Sequence, residues 1–283
     1  MKKDNPEDNA GKNVSTFYNT VGWESEDGTT EDARRWEDLR SYSREYVHKC
    51  RLRVLNQIPI SGGENILDMA SGPIQYEEYL EYSKNFKKRY CVDYSTDALK
   101  VAEEKIGDHG EFLCGNFLEM PLDENFFDCT ISLHTVYHID GNQQEEAIRK
   151  MIHVTKPGKP VIVVYSNPTT IFGSIWDSLP FRFLKRIKKL IRKPDKMTEG
   201  ENETELYFVR HPIDWWERFG DVASVKVIPW RSVHAGTMKR AFPNNRLGSA
   251  MFALLFRLEE RFPTFFARNF QYPMIVMTKK ENA

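Results

Sequence analysis

The chain of 283 residues predicts an α/β protein built on a doubly wound, mostly parallel sheet. Short apolar runs at 64–69, 89–95, 111–114, 127–134 and 160–166 alternate with stretches of helical character. The first run passes Asp68 into a turn of small residues, Ala70, Ser71 and Gly72. The second closes on another acidic residue, Asp93.

Each element follows in order. In ENILDMASGPIQ, Ile66 and Leu67 read as a buried strand with Asp68 at its carboxyl end. The small-residue turn lets a ligand come close to the backbone. Pro73 suits the first turn of the next helix, because it lacks the N–H left unpaired there. That helix is expected over Tyr76 to Phe86. Strand, turn and helix make the first half of a nucleotide-binding βαβ unit, with the ligand at the strands' carboxyl ends. RYCVDYS is a second strand ending at Asp93, about 25 residues beyond Asp68, where an acidic side chain accepts from ribose hydroxyls. Ser95 caps a helix whose apolar face holds Ala98, Leu99, Ala102 and Ile106. EFLC ends at Gly115–Asn116, FDCTISLH ends near Leu133 and His134, and PVIVVYS follows the loop KPGK.

Together these pieces resemble the class I S-adenosylmethionine-dependent methyltransferases. ILDMASGPI follows the family's first motif, and Asp93 matches its acidic second-strand end. GNFLEMPL, FDCTISLHTVYHI and VTKPGKPVIVV match the exits of strands three and four and the entry to strand five, with a final strand at YPMIVMTKK. The likeness runs continuously over residues 60–167. It implies a Rossmann-like sheet of seven strands, the last antiparallel, with an N-terminal helical arm and a helical insertion after strand five. It also implies S-adenosyl-L-methionine as cofactor, bound by Asp68, Ala70, Ser71, Gly72, Asp93, Tyr94, Asn116, Phe117 and Leu133. The family turn carries glycines at alternate positions, whereas here only Gly72 remains, flanked by Ala70 and Ile74. Ile74 is expected to block the close approach a dinucleotide pyrophosphate needs, which counts against a nicotinamide reductase. Asn116 stands where a carboxylate often accepts from the adenine amino group, and its amide oxygen can do the same.

Composition sets the surroundings. A net charge of −1 and a pI near 6.7 exert no pull toward nucleic acid. The cysteines at 50, 91, 114 and 129 lack metal spacing and read as reduced core thiols, which suits a cytoplasmic protein. MKKDNPEDNAGKN has no signal-peptide core, and AMFALLF is far too short to span a bilayer. The expected organisation is a disordered tail over 1–13 and a helical cap over 14–60. A cofactor-binding core over 61–167, an insertion with one core strand over 168–245 and a C-terminal helix and strand over 246–283 complete it. Within the cap, residues 31–58 predict one amphipathic helix or a pair, with Trp36, Leu39, Tyr46, Cys50, Val54 and Ile58 on one face. Residues 181–193 carry seven basic residues and no acidic ones on an amphipathic pattern. They read as a lid first and a membrane-surface contact second.

Methyl transfer is an in-line displacement, so positioning dominates and no loud catalytic motif is required. Tyr18, Phe117 and Tyr137 are candidates for cation–π contact with the sulfonium, and Tyr18 or Trp23 for the acceptor pocket. For a hydroxyl acceptor, His134 and His138 are the candidate bases or contacts; no third ligand joins them, so no metal is expected. His211 and His234 are further candidates for the pocket, although HPIDWW reads as a helix entry. The reading is methylation of a small molecule, oxygen ahead of nitrogen or carbon, of natural-product or saccharide type. A lipid-linked or quinone-like acceptor at a membrane surface is the alternative, and a non-catalytic donor-binding partner subunit is another. Oligomeric state stays open.

Overall fold

Strands covered by helices on both faces need unbroken apolar runs, and the central strands of this chain have them. The computed structural model describes residues 25–26, 29–30, 33–34, 37–171 and 207–282. Seven strands form one sheet: β1 Gly63–Met69, β2 Phe86–Asp93, β3 Gly110–Cys114, β4 Cys129–Leu133, β5 Pro160–Val164, β6 Ala223–Arg231 and β7 Tyr272–Lys279. A separate two-residue hairpin pairs Ser25–Glu26 with Thr29–Thr30. The order is β3-β2-β1-β4-β5-β7-β6. β1 to β5 are parallel, and β7 runs antiparallel to both β5 and β6. The order reverses between β1 and β4, so their carboxyl ends open the crevice where α/β sheets take ligands.

Side chains alternate across the sheet and build two cores. Leu67, Met69, Ile148, Met151, Val163 and Trp216 pack on one face. Ile66, Ile131, Ile162, Val164, Trp230 and Met274 pack on the other. The helices are α1 Ser41–Leu52, α2 Glu77–Glu81, α3 Thr96–Ile106, α4 Gln144–Val154, α5 Ala235–Ala241, α6 Arg246–Arg261 and α7 Pro263–Asn269. Ser95 caps α3 by accepting from the Ala98 N–H at 3.2 Å, as expected. No described helix is long and apolar enough to cross a membrane.

Three expectations need correction. Pro73 lies in the turn rather than in a helix: α2 begins at Glu77 and spans only five residues. The extended Tyr76 backbone holds the chain off the helical path until then. In the N-terminal cap residues 33–34 are helical and α1 begins only at Ser41, so Leu39 lies before α1 and is exposed. Tyr46, Cys50, Val54 and Ile58 are buried as the pattern required. Three of the four cysteines are buried free thiols, but Cys114 is exposed at the end of the edge strand β3. Tyr18, Trp23, Trp36 and the basic stretch 181–193 lie outside the described residues.

Candidate active site

The β1 turn has a glycine-like backbone at every second residue: φ is 60° at Ala70, 55° at Gly72 and 48° at Ile74. Only one of the three is glycine, and a β-branched residue at positive φ is a real outlier. The Ile74 side chain turns beneath the loop and packs with Cys91, Leu99 and Ala102. It therefore does not block approach from the crevice, contrary to the sequence expectation. What disfavours a pyrophosphate is different. The Ser71 N–H donates to the Val92 carbonyl at 3.1 Å and the Gly72 N–H donates to Asp93 Oδ2 at 2.8 Å, so both amides point inward. The helix that follows opens with Glu77 and Glu78, and no ready-made anion nest is present there.

Asp93 holds this corner. Its Oδ1 accepts from the Ser95 N–H at 2.9 Å. Burial pushes its carboxyl above the ordinary range, against the backbone N–H groups of Ser95 and Gly72 that favour the charged form. Each oxygen keeps a second lone pair for a ligand hydroxyl. Tyr94 beside it is exposed. At the end of β3, Asn116 Oδ1 accepts from the Leu118 N–H at 3.1 Å and Nδ2 donates to Glu119 Oε1 at 2.9 Å. Its oxygen likewise keeps one lone pair. Leu133 closes the β4 end and is partly buried.

Asp68 plays a different part from a ligand-facing carboxylate. It is buried and paired with the guanidinium of Arg89, which also donates to the Tyr79 carbonyl at 2.6 Å. The pair links β1 to β2. Phe117 and Tyr137 are also committed to the interior, both in the core beside Leu67 and Met69. Lys150 Nζ stands 5.2 Å from the Phe117 ring centroid.

The two histidines behind β4 differ. His138 Nδ1 donates to the Tyr207 carbonyl at 2.8 Å, which leaves Nε2 as the acceptor nitrogen. Burial lowers its pKa to about 4, despite that hydrogen bond. His134 has φ 61°. Its ring meets Trp230 edge-on at 4.4 Å and Tyr272 at 5.3 Å. Burial first, then the nearby Arg231 charge, hold it well below the ordinary imidazole range. Both rings are neutral at neutral pH. His211 stacks on Trp215 at 4.4 Å beside the entry to the 3-10 helix at Ile213–Asp221. His234 caps α5, accepting from the Gly236 N–H at 3.1 Å. Among the described residues no group of three or more His, Cys, Asp or Glu is placed to hold a metal ion.

Sequence reasoning missed the wall behind His134. Arg231 ends β6, with its guanidinium 4.8 Å from the Trp230 ring and 5.1 Å from the Tyr272 ring. It donates to Glu37 Oε2 at 2.7 Å, joining the arm before α1 to the sheet edge. Arg51 faces Glu37 and Glu78, each at 3.6 Å, and lies 3.3 Å from the Tyr76 ring centroid. The available signal was the strand end PWRS, whose closeness to His134 follows only from the tertiary structure.

Residues 67–163 match the family described as a methyltransferase domain. Over 148 residues the chain is 32% identical to the ubiquinone/menaquinone biosynthesis C-methyltransferase UbiE of Pseudomonas fluorescens, covering 47% of this chain and 56% of that protein. The chain thus spans about half the length of the curated relatives it matches. Among solved structures, the DhpI–SAH complex is similar in fold, with a TM-score of 0.55 at 11% identity over 96% of this chain and 98% of that one. The Haemonchus contortus phosphoethanolamine N-methyltransferase 2 complex gives 0.50 at 14% identity, over 82% and 52%.

Proposed function

We propose that this chain, whose residues 67–163 match a methyltransferase domain, is a class I S-adenosylmethionine-dependent methyltransferase that methylates a small-molecule acceptor at the carboxyl edge of its sheet. The observation that carries this is the pairing of the glycine-like turn 70–74, tied to Asp93, with a neutral His134 across the β1/β4 crevice. When bound, S-adenosylmethionine supplies an electrophilic methyl group on a sulfonium.

This chain's own residues fit such a donor. The turn offers close backbone approach without an anion nest, which suits a donor that has no phosphate. Asp93 keeps lone pairs for ribose hydroxyls, and Asn116 keeps one for an adenine amino group. Tyr94 and Leu133 flank these positions. Asp68 is engaged by Arg89, which ties β1 to β2 and to the Tyr79 carbonyl. Holding the nucleophile in line accounts for roughly 7–11 kcal/mol of barrier reduction, whereas a base contributes about 10²–10⁴-fold.

Neutral, weakly basic imidazoles bear on the acceptor. His134 and His138 accept a proton poorly, so an acceptor with an acidic hydroxyl, such as a phenol, fits better than a saccharide alcohol. A second reading, a lipid-linked or quinone-like acceptor, is favoured by the likeness to UbiE over half the chain.

Calorimetric titration with S-adenosylmethionine, its demethylated product and NADH tests the donor site. Micromolar binding of the first two, weakened more than tenfold in Asp93→Ala, is the expected result. Binding of NADH alone, or of none, overturns the reading. Donor binding with no turnover on any phenolic acceptor in the presence of a partner-dependent enzyme leaves the non-catalytic role instead.

A further inference from the structure

Helix α6 buries Gly248, Phe252 and Glu259 against the body of the protein. Its other side carries an apolar stripe: Leu247 is 63% exposed, Leu254 56% and Leu258 37%, and the stripe continues past the helix to Phe262 and Phe265, each 50% exposed. Leu254 and Leu258 are four residues apart and Leu247 lies two turns before Leu254, which keeps the three leucines on one side of α6, and Phe262 and Phe265 follow at its end. Scattered exposed leucines need no account, but three on one side of a helix that ends in two exposed phenylalanines do.

The charges beside the row are of one sign. Arg246, Arg257 and Arg261 lie on the exposed side of the same helix, and none is in an ion pair among the described residues. The Arg261 guanidinium stands 5.4 Å from the Phe262 ring. The two acidic residues of α6 are turned away from the row: Glu259 is buried on Arg53 and Ser232, and Glu260 pairs with Arg53 at 2.8 Å.

We infer that the α6–α7 face is a docking surface for an anionic lipid bilayer, with the apolar row entering the headgroup region and the arginines meeting lipid phosphates. An amphipathic helix with large apolar side chains and a cationic margin has the chemistry of an interfacial anchor. A second copy of the chain fits less well, because self-pairing would bring the arginines of both copies together with no carboxylate to meet them. The face also adjoins the site. Asn167, just beyond β5, donates to the carbonyls of Arg268 and Phe270 at 3.0 and 3.1 Å, fastening the end of α7 to the sheet's carboxyl edge. Tyr272, two residues on, touches His134. A bilayer under α6 and α7 therefore lies beside the acceptor side of the crevice. The surface stands independently of the methyl-transfer reading, since it rests on no donor or acceptor residue.

The test is co-sedimentation of the full chain with vesicles of phosphatidylcholine, with and without phosphatidylglycerol. Binding to the anionic vesicles alone is expected, reduced at least tenfold in L254S/L258S/F265S. In R257Q/R261Q the preference for phosphatidylglycerol disappears while the melting temperature stays at the parent's, which keeps the test decisive if the triple variant folds poorly. No sedimentation with either vesicle overturns the inference. So does unaltered binding of both variants, which moves the contact to another surface such as 181–193. A concentration-dependent dimer in sedimentation velocity that the triple variant dissolves assigns the face to a second copy and also overturns it.

Discussion

Ala70, Gly72 and Ile74 show how a backbone requirement outlasts the residues that usually meet it. All three sit at positive φ, yet two carry a Cβ. Ala70 gains little from its methyl group, which only edges the core. Ala70→Gly should therefore relieve strain and raise unfolding free energy by up to about 1 kcal/mol, net of the added freedom of the unfolded chain. Ile74→Gly should do the opposite. Its side chain is fully buried with Leu99 and Ala102, and its loss outweighs the relief, giving a destabilisation of about 2 kcal/mol. Urea midpoints of the two variants check this pair, and equal effects of one sign would refute it. His134 is the third kind of case: a left-handed residue aimed at aromatic rings at a strand exit, where strain accompanies function more often than chance.

Between elements, the decisive contact is the buried pair Asp68–Arg89 joining β1 to β2. Two charges in an apolar layer are costly to hold there but costlier to separate. Asp68→Asn leaves the Arg89 charge without its counterion and should destabilise by about 3–5 kcal/mol, while the double substitution Asp68→Leu, Arg89→Met should recover most of that. Denaturant unfolding of the parent, single and double variants measures it; a loss under about 1 kcal/mol in Asp68→Asn would remove the pair from its structural role. The same logic applies between α1 and α6. There Tyr46 donates to Glu259 at 2.6 Å and Arg53 meets that carboxylate at 2.8 Å. Most of the strands were legible because buried parallel strands require contiguous apolar residues. The short α2 was not, because Tyr76 gives no sequence sign of its extended backbone.

For the whole molecule, burial of two neutral histidines couples stability to pH. His138 titrates near 4 when folded, against about 6.5 when unfolded, and His134 is shifted the same way. The unfolded chain therefore takes up protons in that window while the folded chain does not. Stability falls as pH drops from about 6.5 to 4, by about 3 kcal/mol from His138 alone. Urea midpoints across this range should show the decline, and His138→Gln, which keeps a donor for the Tyr207 carbonyl, should flatten it. An unchanged slope in that variant would mean the decline comes from other groups.

The chain order alone determined the sheet and its switch point, because apolar periodicity and acidic strand ends are local properties of the chain. It also marked Asp93, Asn116 and His134, since residues at strand ends share one edge in any such sheet. Only the tertiary structure decided that Asp68 faces Arg89, that Ile74 turns under its loop, and that Phe117 and Tyr137 belong to the core. Those outcomes depend on which face a side chain meets once strands are paired. Glu37, the pair Trp230–Arg231 and Tyr272 come together from three distant stretches of chain. No local pattern encodes that meeting, because it is produced by the antiparallel insertion of β7 between β5 and β6.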